Sequence, residues 1–179
     1  LKKLLLSMLI SLNLFSGNLK SELFNLSFKQ RDIMITSIKS GKQYDLGYTL
    51  AAIAWQESKF GEYLVNLNDP SCGVYHIYLP DLLNRLGKKN TSWNRNVVCS
   101  RLINNFNFGL TEALGRLEFW KNYWYSKGLR GNKLWRYTIM SYNAGTSFLH
   151  NKKSKIKAKQ YLKHIIRKVR VLKRYVFIN

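Results

Sequence analysis

Apolar residues recur three and four positions apart along most of the chain, which is the period of a helix with one buried face. The segment Phe28–Ser40 carries Ile33, Ile35 and Ile38, and Gly41 is expected to end it. Asp45 is a candidate cap for a helix from Leu46 to Ser58, with Gly61 shortly after. Residues 62–76 are rich in turn formers, including Asn66, Asp69-Pro70 and Gly73, and read as a loop. A short helix is expected over Asp81–Leu86, followed by a polar stretch to Asn96. One long helix is expected from Val98 to about Lys127, since Leu102, Phe106, Leu110, Leu114 and Leu117 keep the period. Gly128 and Gly131 separate it from a helix over Leu134–Tyr142, closed by Gly145. The last helix is expected over about 155–177. Strand-like alternation occurs only in short pieces such as Val74–Leu79. The pattern predicts a mainly α fold, one domain over 18–179, with at most a very small β element.

The first 17 residues break this pattern. Leu1-Lys2-Lys3 precedes an apolar run from Leu4 to Phe15, and Ser16-Gly17 follow. A basic start, a short apolar run and small exit residues predict an export signal, or an uncleaved membrane anchor. An amphipathic first helix packed on the domain is the structural alternative.

Charge adds a second asymmetry. The 179 residues hold 30 Lys+Arg against 9 Asp+Glu, a formal charge of +21. Aromatics at 14% exclude a disordered polycation. Residues 151–179 hold 11 of the cations and no acid, and Glu118 is the last acid in the chain. Such a balance calls for anionic partners: a wall polymer, a lipid surface or nucleic acid. No base-reading motif is visible, so nucleic acid is not expected. The final helix has a stripe of Ala158, Leu162, Ile165, Val169, Leu172 and Val176, with cations on its other faces. It reads either as a membrane-surface arm or as a closing helix with a cationic outer face.

Cys72 and Cys99 could pair in an oxidising compartment, and two buried free thiols are the equal alternative. His76, His150 and His164 show no metal-ligand spacing with either cysteine, and no cofactor is expected. The residue with most chemical content is Glu57. Leu50, Ile53, Ala54 and Glu57 share one helix face, which puts a carboxyl on apolar surface near a helix's carboxyl end. Both surroundings favour the protonated form that a general acid needs. A helix-end Glu turned into water is the structural alternative.

Around that residue the chain resembles a known family. Trp55-Gln56-Glu57-Ser58-Lys59-Phe60 is similar to the Glu-Ser signature of soluble lytic transglycosylase-type domains, relatives of goose-type lysozymes. Gly73-Val74-Tyr75-His76-Ile77 stands where they have Gly-Leu-Met-Gln-Ile. Asn105-Phe106-Asn107-Phe108-Gly109 resembles their Asn-Ile-x-x-Gly, and Ser141-Tyr142-Asn143-Ala144-Gly145 their Ala-Tyr-Asn-Ala-Gly. Tyr161-Leu162 with Val169 resembles their closing helix. The five elements run in order over roughly residues 44–175.

The resemblance implies a lysozyme-like helical domain that cleaves the MurNAc–GlcNAc β-1,4 bond of peptidoglycan and leaves a 1,6-anhydro sugar. Glu57 would be acid and then base. Gly73, Tyr75 and His76 would border the sugar groove, with His76 replacing a Gln and able to charge; a core histidine holding the loop is its structural alternative. Tyr142 and Asn143 would face Glu57, the Tyr hydroxyl orienting the carboxyl. Ser58 would bond to nearby backbone first and touch substrate second. The implied setting is the periplasm or cell envelope. Near Glu57 in sequence, only Glu62 and Asp69 could serve as a second carboxylate, and neither position favours that role, so a goose-type hydrolase is the second enzymatic reading. A non-catalytic, basic envelope-binding protein is the third.

Overall fold

A computed structural model describes residues 18–178, so the expected signal over residues 1–17 lies outside the described residues. The described chain is mainly α, as its periodicity predicts, with one two-stranded sheet. Helix α1 covers residues 18–24. Helix α2 (Phe28–Lys42) starts at a capping box, in which Ser27 accepts from the Gln30 amide and the Gln30 side chain accepts from the Ser27 amide.

Gly41 does not end α2; it sits inside the helix, where α2 crosses the next one. Helix α3 (Gly47–Ser58) begins at Leu46, not under an Asp45 cap. Asp45 is spent on the turn instead, at φ 57. That turn brings two glycines together. A Cβ on Gly41 would stand 2.8 Å from the Gly47 Cα, and a Cβ on Gly47 would collide with the Ile38 carbonyl oxygen. Gly47→Ala is therefore expected to force the two helices apart, costing about 3 kcal/mol and lowering the melting temperature by roughly 10 °C in a thermal scan.

The close crossing lets α3 run through the centre of the molecule. Leu50 to Trp55 are all buried, so this helix is apolar on nearly every side. Beyond Tyr48 in its first turn, only its last turn, with Gln56 and Glu57, reaches the surface. The chain then forms a hairpin, β1 (Ser71–Cys72) paired antiparallel with β2 (Ile77–Tyr78). Helix α4 (Leu79–Arg85) follows directly.

The expected single helix after residue 98 is two helices, α5 (Ser92–Asn104) and α6 (Phe106–Ser126). The apolar period continues across the break, but Asn105 turns extended and its side chain caps the Phe108 amide at 2.9 Å. The polar stretch before Asn96 is helical from Ser92, because Thr91 caps the Asn94 amide. Cys72 and Cys99 are bonded, tying the hairpin to α5 across 27 residues of chain. A loop of that length stabilises the fold by about 3 to 4 kcal/mol in the chain-entropy account.

Helices α7 (Gly131–Ala144) and α8 (Ser147–His150) lead to α9 (Lys152–Tyr175). Asn151 caps α9, which starts at Lys152, three residues before the expected start, and the helix ends before Val176. Its apolar stripe packs on α3 and α7, with Ala158, Ile165 and Leu172 fully buried. This matches a closing helix. No described helix is long and apolar enough to cross a membrane.

Candidate active site

A groove of about 630 Å³ opens where α3, the hairpin, α6, α7 and the start of α9 meet. Glu57 lines it from the last turn of α3, with its side chain 18% exposed. One carboxyl oxygen is held by a hydrogen bond and the other faces an imidazole. Tyr161 of α9 donates its hydroxyl to Oε1 at 2.6 Å. His76 presents Nδ1 to Oε2 at 3.6 Å.

The hairpin puts His76 there under some strain. Its φ of 42 lies in the left-handed region, which costs a non-glycine residue about 1 kcal/mol or more. A His76 amide bond to the Gly73 carbonyl (3.1 Å) closes the turn. The ring's Nε2 lies 2.8 Å from the Tyr63 carbonyl oxygen, which can only accept, so Nε2 carries the hydrogen in either charge state. Burial works against the imidazolium, but the Glu57 carboxylate, the Tyr63 carbonyl and Asp69 outweigh it and hold the His76 pKa above its ordinary value.

Three residues expected at the groove stand behind its wall instead. Ser58 is fully buried; its hydroxyl donates to the Val74 carbonyl at 2.7 Å and accepts from the Gly61 amide at 2.8 Å. It fastens the end of α3 to the loop carrying His76 and has no surface left for substrate. Tyr75 is also fully buried, with its hydroxyl 2.7 Å from Ser37 Oγ and its ring against Phe106. Burial raises the pKa of that phenol. Gly73 backs onto Leu102, where a Cβ would sit 3.1 Å from the carbonyl oxygen.

Tyr142 and Asn143 do line the groove with Glu57. The Tyr142 hydroxyl, however, donates to the Tyr75 carbonyl at 3.1 Å and supports the hairpin. The phenol that holds the carboxyl is Tyr161, not Tyr142. Burial and the nearby Glu57 charge push the Tyr161 pKa well above the ordinary phenol value, so it remains a donor at any working pH. Its sequence signal was its place on the apolar stripe, where a hydroxyl needs a partner.

The groove has further lining residues. Arg116 of α6 reaches Asp81 at 3.4 Å and lies 5.6 Å from the centre of the Tyr142 ring. Trp120 and Lys157 line the same space. Asp69 lines it too and accepts from the Ser71 hydroxyl, whereas Glu62 pairs with Lys59 on the surface. A half-buried carboxyl with one fixed phenolic donor and one imidazole neighbour can deliver a proton to a ligand atom in the groove and take one back. No family model matches the chain, and neither does any curated protein or solved structure.

Proposed function

We propose that the chain is a peptidoglycan lytic transglycosylase with Glu57 as its acid and base. The observation that carries this reading is the carboxyl itself. It stands half-buried in a polar groove, with a fixed donor on Oε1 and an ionisable partner facing Oε2. The ordered motif resemblance around Glu57, His76, Tyr142 and Tyr161 supports the substrate class.

In this reading Glu57 gives its proton to the glycosidic oxygen as the C1–O bond of the muramic sugar breaks. The carboxylate then accepts the proton of that sugar's C6 hydroxyl as O6 bonds to C1. The proton count returns to its start and no water is consumed. Tyr161 keeps the carboxyl aimed through both steps. Asn143 and Trp120 offer an amide and a ring face to the sugars.

Asp69 and Asp81 share the groove with Glu57, and this favours goose-type hydrolysis as the second reading. Mass spectrometry of muropeptides released from purified sacculi separates the two. The expected products are lighter by one water than those of hydrolysis. Hydrated reducing ends would instead make the protein a hydrolase, and intact strands would leave the non-catalytic binder. Export to the envelope fits the same reading, and the Cys72–Cys99 bond supports an oxidising compartment.

A further inference from the structure

A second groove, of about 670 Å³, shares no lining residue with the first and opens between α7, α8 and α9. Its floor is apolar: Met140, Phe148, Leu162 and Ile166. Leu149 stands at its edge 43% exposed, and Ile156 of the same face is 50% exposed. The rim is cationic, formed by Arg136, Lys155, Lys159, Lys163 and Arg170. No acid offsets it, because the chain has none after Glu118 and α7, α8 and α9 all follow that residue. Along α9 the cations from Lys155 to Arg170 form a row about 22 Å long, at about 1.5 Å per residue.

We propose that this face is a docking site for an anionic phospholipid bilayer, with the row on the headgroups and the groove taking apolar chain. The floor asks for an apolar occupant and the rim for an anion. An amphiphile supplies both in one molecule, whereas a wall polymer or nucleic acid satisfies only the rim. The contact is not made by an inserted amphipathic helix, since the apolar stripe of α9 is already committed to the core. It uses Ile156 and Ile166, on the other flank of that helix, together with Leu149 of α8. Lys157 and Ser154 of the same helix face the Glu57 groove. A chain docked this way keeps that groove off the membrane plane.

The test is co-sedimentation of the full chain with vesicles of phosphatidylcholine alone or mixed with phosphatidylglycerol. Binding is expected only with the mixed vesicles, and it weakens as salt rises. The triple variant Lys155→Gln/Lys159→Gln/Lys163→Gln is expected to lose about a hundredfold in partitioning while its melting temperature holds. A Leu149→Trp reporter is expected to be quenched by brominated acyl chains. Equal binding to both vesicle types, an unaffected triple variant, or an unquenched reporter would each overturn the proposal. Quenching absent but salt-sensitive binding retained would mean adsorption by charge alone. Glu57→Gln is expected to bind vesicles as the unaltered chain does, so this result stands or falls apart from the catalytic reading.

Discussion

Glu57→Gln is expected to abolish release of muropeptides from purified sacculi, by about a thousandfold or more, while leaving the melting temperature close to that of the unaltered chain. Removing a positioned general acid costs on the order of 10² to 10⁴ in rate, and in the proposed mechanism the same carboxyl also serves as base. The substitution is close to isosteric. The Gln amide oxygen can still accept from the Tyr161 hydroxyl, which now stands 2.6 Å from Oε1. The groove keeps its shape and its aromatic and polar lining, so binding of glycan strands is expected to persist. What disappears is the exchangeable proton. Tyr161→Phe provides the graded comparison. It removes the positioning bond but not the proton, and a loss of about tenfold in kcat with little change in KM is expected. If Glu57→Gln retained full activity, another group would be the acid. If both variants lost activity together with cooperative melting, the effect would be structural. The binding reading makes a different forecast, since the unaltered chain would then release nothing.

The contrast between Tyr161 and Tyr142 marks where the sequence stops being readable. Both tyrosines sit on apolar helix faces, and both motifs carry them in the expected order. Which hydroxyl reaches the carboxyl depends on how α7 and α9 approach the last turn of α3, and that is a tertiary distance. Local period carries no information about it. Glu57 was legible for the opposite reason, because one carboxyl on the face of Leu50, Ile53 and Ala54 breaks a local rule. The break at Asn105 was hidden by apolar spacing that runs through it, although the cap that makes the break is itself local. Asp45 looked like a helix cap and is a left-handed turn residue, because the approach of Gly41 to Gly47 decides the geometry there. The groove position expected of Tyr75 and the second, substrate-touching role given to Ser58 fail on burial, while the backbone bonding expected first of Ser58 is present. Both hold the hairpin from behind, and His76 alone of that loop's expected site residues comes through to the groove.

His76 should therefore set the pH dependence. Its Nε2 is committed to the Tyr63 carbonyl, so any second proton must go on Nδ1, facing Glu57 Oε2 at 3.6 Å. With no proton between them, a ring lone pair faces a carboxylate, which is repulsive. With a proton on Nδ1 an imidazolium faces the carboxylate, which is attractive. The Glu57 carboxylate thus favours the protonated imidazole. Asp69 and the Tyr63 carbonyl act in the same direction, and together with Glu57 they outweigh burial in raising the His76 pKa. In the proposed mechanism activity is expected to fall as pH rises through that raised value, because the imidazolium beside the carboxyl is then lost. His76→Gln is the informative change. An amide N–H can still reach the Tyr63 carbonyl, but it cannot hold a titrating proton. The alkaline limb that His76 sets in the pH–rate profile is expected to disappear in this variant. Superimposable profiles would remove His76 from the proton inventory. Folding gives an independent reading with a fixed sign. A histidine whose folded pKa exceeds its unfolded value of about 6.5 stabilises the fold fully below that value. The contribution is lost as pH climbs from there through the folded value. Melting temperatures compared near pH 6 and pH 8 should therefore fall further for the unaltered chain than for His76→Gln. Equal falls would mean that the folded surroundings of His76 do not stabilise its imidazolium.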